Sequence, residues 1–198
     1  MRNLFIIVLS FLLLSFMNNE ALGQTKPLNP GEEVSSRNTE EGKDVKGWSK
    51  THWGMTNDEI LDLFKGQALQ VKKEIRHNDQ TYSTIRINNF DINGTDFEVL
   101  FYMGIKDDKL QKVLLRHKNA IESMFGSFEQ LLTEKFGPPS HTDFSRSQVS
   151  RRDFKRDATW IFPSTKIELI FMTMYPVANY LVIWYSDQSY KKETLEKF

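Results

Sequence analysis

A chain of 198 residues with 26 basic and 26 acidic side chains carries no net charge at neutral pH, so no global field recruits nucleic acid or an anionic membrane surface. It has no cysteine, which excludes disulfides, thiolate metal sites, a cysteine nucleophile and lipid attachment at a cleavage-site cysteine. The fold has to hold by packing.

The chain opens with Arg2 and an apolar run from Leu4 to Met17. At about 1.5 Å per residue the run spans roughly 21 Å, short of a hydrocarbon core of about 30 Å. Ala21-Leu22-Gly23 puts small residues where a signal peptidase reads them. Residues 1–23 are therefore expected to be an export signal cut before Gln24. The mature chain is expected to be periplasmic or secreted, without a transmembrane segment. Loss of Arg2 and Glu20 leaves its charge at zero. Residues 24–46 hold two prolines, two glycines and no aromatic side chain. They bury too little to offset their ordering entropy and are expected to form a flexible leader. Residues 47–198 contain all 4 tryptophans and all 6 tyrosines, and their length suits one domain.

Thr56-Asn57-Asp58-Glu59 has the capping-box pattern, with Met55 and Ile60 placed as a hydrophobic staple and Gly66 as the stop. A first short helix is predicted there. The strands Tyr82–Ile92 and Thr95–Met103 follow, joined by Asn93-Gly94, the strongest short hairpin signal, and then Leu110–His117. A second helix is predicted from near Asn119, carrying Ile121, Met124, Phe125, Phe128, Leu131, Leu132 and Phe136 on one side. Gly137 and Pro138-Pro139 stop it. Thr159–Phe162, Lys166–Met172 and Tyr180–Tyr185 complete a helix, three strands, helix, three strands order.

Leu63-Phe64-Lys65-Gly66 closes the first helix and Glu134-Lys135-Phe136-Gly137 the second. The spacing of these copies exceeds the roughly 20–50 residues of solenoid repeats, so a duplicated αβββ unit is predicted, with halves at about 47–118 and 119–186 and a C-terminal tail. The expected class is α+β: an antiparallel sheet with the helices packed on one face and the other left partly open. Trp53-Gly54-Met55-Thr56, an acidic helix start, aromatic-rich strands and the Leu132 to Pro138 run resemble small exported bacterial proteins of uncharacterised function with αβββ repeats. Those units are similar to the beta-lactamase-inhibitor-protein-like fold and the small outer-membrane-assembly lipoprotein fold. The resemblance covers roughly Trp48 to Ser186 and implies a binding module, not a reaction. The inhibitors use disulfides and the lipoprotein a lipidated cysteine, and this chain has neither.

Catalytic patterns are missing. His52, His77, His117 and His141 show no helical metal spacing, and neither phosphate-loop nor nucleophile-elbow motifs occur. Asp91, Asp96 and Glu98 flank the hairpin as charged surface. Asn93-Gly94-Thr95 is a formal sequon that the turn explains. Phe198 at the end of the chain invites comparison with outer-membrane barrels, but six predicted strands fall short of the known minimum of about eight.

Two features point to binding. Arg146, Arg151, Arg152, Lys155 and Arg156 crowd the segment Ser140 to Arg156, where Asp143 and Asp153 are the acidic residues. Such a run is usually a solvated loop, here interrupted by Phe144, Val149 and Phe154 as a hairpin would be. It also suits an anionic partner. Placing Phe97, Val99, Phe101, Met103, Leu181, Ile183 and Tyr185 inward throws Leu100, Tyr102, Leu114, Arg116, Tyr180, Val182 and Trp184 outward. Either that face meets a partner or the chain's own segments cover it. Trp48 and Trp53 are expected to pack on the first helix. The leading expectation is a cofactor-free binding module that recognises an envelope protein through the open face, by Tyr102, Arg116, Tyr180 and Trp184 assisted by the basic segment. The alternative is a periplasmic protein for a small apolar ligand or lipid, marked by a dry cavity under Phe97, Phe101 and Phe128. A hydrolytic enzyme ranks third.

Overall fold

The structure is a computed structural model that describes residues 44–78, 80–147, 152–174 and 176–189. The segment expected to be an export signal, almost all of the expected leader, Arg151, the His77 side chain and the end of the tail lie outside the described residues.

The first helix follows its cap. The Thr56 hydroxyl accepts from the Glu59 N–H at 3.3 Å while the Thr56 N–H donates to a Glu59 carboxylate oxygen at 2.7 Å, so α1 runs Asn57–Leu63. Met55 and Ile60 are both buried beside it. Four strands follow: β1 (Leu69–Asn78), β2 (Thr81–Ile92), β3 (Thr95–Gly104) and β4 (Leu110–Lys118). The second helix, α2 (Glu122–Phe136), is followed by β5 (His141–Arg146), β6 (Phe154–Ile161), β7 (Thr165–Met174) and β8 (Ala178–Asp187). Each helix thus precedes four strands, where the sequence reading expected three. The two added strands, β1 and β5, are polar and exposed along most of their length.

All eight strands join one antiparallel sheet in the order β1-β2-β3-β4-β8-β7-β6-β5. Two four-stranded meanders meet along β4 and β8, where Val113 faces Tyr185 and Leu115 faces Ile183. Strand number therefore no longer argues against a barrel. Strand order does, because β1 and β5 end the sheet and do not pair with each other among the described residues. Asn93 and Gly94 take φ of 56° and 79°, the two positive values a type I′ turn requires.

The second helix starts later than expected. Asn119 sits at φ 63° outside it, Ile121 is its N-cap with no side-chain hydrogen bond, and the Ile121 side chain is exposed. From the helix, Phe125, Phe128 and Leu132 are buried in the main core with Phe97, Val99, Phe101, Met103, Leu181, Ile183 and Tyr185. Phe97 meets Phe128 edge-on at 5.2 Å, and Phe101 meets Phe64, at the end of α1, at 5.5 Å. The fold is α+β, mostly antiparallel sheet. No helix among the described residues is long and apolar enough to cross a membrane.

Candidate functional site

The side chains expected to face a partner fall into two separate places. Tyr102, Arg116, Tyr180 and Trp184 share the second face of the sheet, and the Tyr102 and Trp184 rings lie 5.6 Å apart. The centre of that face is closed. Leu100 is 1% exposed and Tyr102 3%, with Leu114 and Val182 also buried and Ile75, Ile170, Met172, Tyr180 and Trp184 packed around them. The centre of the face is therefore not the open surface expected from the sequence. Tyr102 has almost no surface to present. Arg116 is committed as well, donating from Nε to Glu98 at 3.1 Å and forming a shorter bond from its terminal nitrogen, while Arg86 approaches the other carboxylate oxygen at 3.7 Å.

The basic segment is mainly a hairpin, and its residues divide between the two faces: Lys155 pairs with Met172 on the second face and Arg156 with Phe171 on the helix side. Phe144 pairs with Arg156 and Arg146 with Phe154 across β5 and β6. Arg156 turns to α2, 4.7 Å over the Phe125 ring and 3.4 Å from Glu122. Lys155 binds Asp157 at 2.7 Å, and Arg146 lies over Phe144. Arg152 is exposed and has interactions of its own. The expected single basic contact surface is split, because alternate residues of a strand leave on opposite sides.

A cleft of about 720 Å³ lies elsewhere, on the helix side of the sheet. One wall is the segment 44–49 before α1, the other is the second half of α2, the β2–β3 turn closes one end, and Leu115, Ile183 and Tyr185 form the floor. The volume falls within the roughly 300–1,000 Å³ typical of small-molecule sites. Phe90, Ile92, Phe128, Leu131, Leu132 and Phe136 supply the apolar part of its lining, and polar groups supply nearly as much surface. The dry cavity under Phe97, Phe101 and Phe128 that would mark the apolar-ligand alternative is not found among the described residues, and this cleft over the β4–β8 seam is a different space. Phe97 and Phe101 are fully buried in filled core, and only Phe128 of the three lines the space.

The wall 44–49 is clasped to the sheet from several directions. Ser164 donates its N–H to Asp44 at 2.9 Å and its hydroxyl to the other carboxylate oxygen. Thr165 donates to the Val45 carbonyl and accepts from Trp53 Nε1 at 2.8 Å. Desolvation would raise the Asp44 pKa, but the side-chain and backbone bonds from Ser164 outweigh it and hold the carboxyl below its usual range. Trp48 stacks on Phe64 at 5.9 Å and meets Phe90 edge-on at 5.0 Å, as its expected packing on the first helix requires. Gly47 is obligatory by space, since a Cβ there would stand 2.1 Å from the Thr51 carbonyl oxygen.

Tyr185 is the polar anomaly of the floor. It is 6% exposed, and no hydrogen bond to its hydroxyl occurs among the described residues. Burial alone drives its pKa far up, so the phenol stays neutral and keeps both a donor and an acceptor. Alternation placed Tyr185 inward from the sequence. The unpaired hydroxyl had no sequence signal, since it depends on which side chains from other segments fail to reach it. His117 meets the Asp96 carbonyl through Nδ1 at 2.8 Å, and the described residues contain no group of three acidic or histidine side chains that would hold a metal. No protein family, curated protein or solved structure matches the chain.

Proposed function

We propose that the chain is an exported, non-catalytic binding module that holds a small, largely apolar ligand in the cleft between the sheet and α2. The observation that carries this reading is a cleft of ligand size over the β4–β8 seam whose floor holds a neutral phenol, Tyr185, with no hydrogen bond to its hydroxyl among the described residues. A neutral hydroxyl with no protein partner can donate to or accept from a bound ligand, and such a bond contributes about 0.5–1.5 kcal/mol. We read the two runs of one helix and four strands as a duplicated unit with its helices on the same face. In that arrangement the cleft lies over the seam between the copies. Recognition of an envelope protein through the second face has less behind it, because the centre of that face is filled. The resemblance of the sequence to small exported bacterial proteins of uncharacterised function with αβββ repeats implies a binding module and an extracytoplasmic setting.

The neutral fluorescent probe N-phenyl-1-naphthylamine tests the site. Leu131→Trp, which fills the cleft, is expected to weaken probe binding at least about tenfold, a change of about 1.4 kcal/mol. Gln130→Trp, on the exposed side of α2, is expected to leave binding unchanged. Equal binding by both variants, with thermal unfolding showing both folded, would remove the cleft as the site.

A further inference from the structure

The charged groups at the mouth of the cleft narrow the ligand's chemistry, and this step rests on the cleft being the binding site. Four charged residues line it, Asp44, Lys46, Asp91 and Lys135, so formal charge is balanced. Hydrogen-bonding capacity is not. Both Asp44 oxygens receive donors from Ser164, and an Asp91 oxygen accepts from the Gly94 N–H at 3.4 Å. The two ammonium groups are differently placed. Among the described residues neither forms an ion pair within 4.0 Å, and the Lys135 ammonium rests 5.0 Å from the Phe136 ring centroid, at the edge of the apolar wall. Lys46, whose charge also acts on Asp44, belongs to the clasped wall and Lys135 to the opposing helix, so two cations without an ion pair among the described residues stand on opposite sides of the cleft.

We infer that the ligand is a single-chain amphiphile with an anionic head, a carboxylate or a phosphate monoester, its head between Lys46 and Lys135 and its chain against Phe90, Phe128 and Leu131. An ammonium on an apolar rim gains from an anion that brings its own hydrocarbon into contact with the wall, because hydration lost by the head is replaced by charge-assisted hydrogen bonds. A cationic head meets two like charges there, and a neutral head leaves both unused.

Calorimetric titration of the full chain with dodecanoate, dodecan-1-ol and dodecyltrimethylammonium, each below its micelle concentration, separates the possibilities. Dodecanoate is expected to bind at least about tenfold more tightly than the alcohol, and the ammonium compound more weakly than either. The double variant Lys46→Gln and Lys135→Gln is expected to abolish that preference while holding alcohol affinity within about twofold. Equal affinity for all three heads, a preference for the cation, or a preference that persists in the double variant would overturn the anionic head and leave the cleft as the site. Binding of none of the three would mean that a peptide segment, from this chain, a second copy or another protein, occupies the cleft, and would overturn both readings.

Discussion

The same side chain, tyrosine, plays opposite parts on the two faces of the sheet. Tyr102 is buried among Leu100, Leu114 and Val182 and against Trp184, so its ring is spent on packing. Tyr185 is buried beneath a cleft, and no described group pairs with its hydroxyl. Removing that hydroxyl separates a structural from a binding role. Tyr185→Phe is expected to leave the ligand-free protein within about 1 kcal/mol of the parent, since no protein partner of the hydroxyl is orphaned. Chemical denaturation checks this directly. A loss of more than about 1 kcal/mol would mean that the hydroxyl already has a partner and would withdraw it from the site. Both tyrosines were assigned to their faces by period-two alternation, which reports direction and nothing about what arrives from elsewhere in the chain. For that reason the core list was legible in the sequence, whereas the burial of Tyr102 and the place of the cleft, away from Phe97 and Phe101, were not.

Among the elements, those with local chemistry were readable and those defined by their neighbours were not. The capping box at Thr56 and the Asn93-Gly94 turn are set by a few adjacent residues, and both appear where the sequence put them. β1 and β5 were missed because both are end strands of the sheet. Their residues, Gln-Val-Lys-Lys-Glu-Ile-Arg in β1 and His-Thr-Asp-Phe-Ser-Arg in β5, carry the charged and polar side chains that suit an exposed edge and hide the apolar alternation. The extra length of β6, from Phe154, escaped for a related reason: Lys155, Arg156 and Asp157 look like loop until β5 pairs with them. Two glycines give an element-scale test with opposite signs. Gly47→Ala brings a Cβ against the Thr51 backbone, so the clasped wall must shift; a loss on the order of 1–3 kcal/mol is expected, together with a changed environment at Trp48. Gly126→Ala, inside α2 with no atom within 4 Å of the added carbon, is expected to gain roughly 0.5–1 kcal/mol by helix propensity alone. Thermal unfolding and tryptophan emission read both. Equal small effects at the two positions would mean that the wall 44–49 is not held by the Gly47 approach.

For the whole molecule, burial of phenols ties stability to alkaline pH. Tyr185 has its pKa raised by desolvation, Tyr102 by desolvation against the opposing Arg116 charge, and Tyr82 by desolvation and then by its bond to Asp108 at 2.6 Å. Below about pH 10 these tyrosines are protonated in both the folded and the unfolded chain, and the folded state has its full margin. Above that pH the unfolded chain releases protons that the folded chain retains, so the unfolded state binds fewer protons and stability falls as pH rises towards the folded pKa values. A group as buried as Tyr185 removes about 1.4 kcal/mol per pH unit in this window. Tyr82 is more exposed and adds less, through solvent screening. The urea midpoint is therefore expected to stay level from about pH 8 to pH 10 and to drop between pH 10 and 12. Tyr185→Phe should make the drop shallower by about one proton. A midpoint that holds steady past pH 11, or an equal slope in Tyr185→Phe, would mean that the Tyr185 phenol ionises freely in the folded protein. A phenolate there requires water on the cleft floor, and the neutral hydroxyl that the proposed ligand would meet would be lost with it.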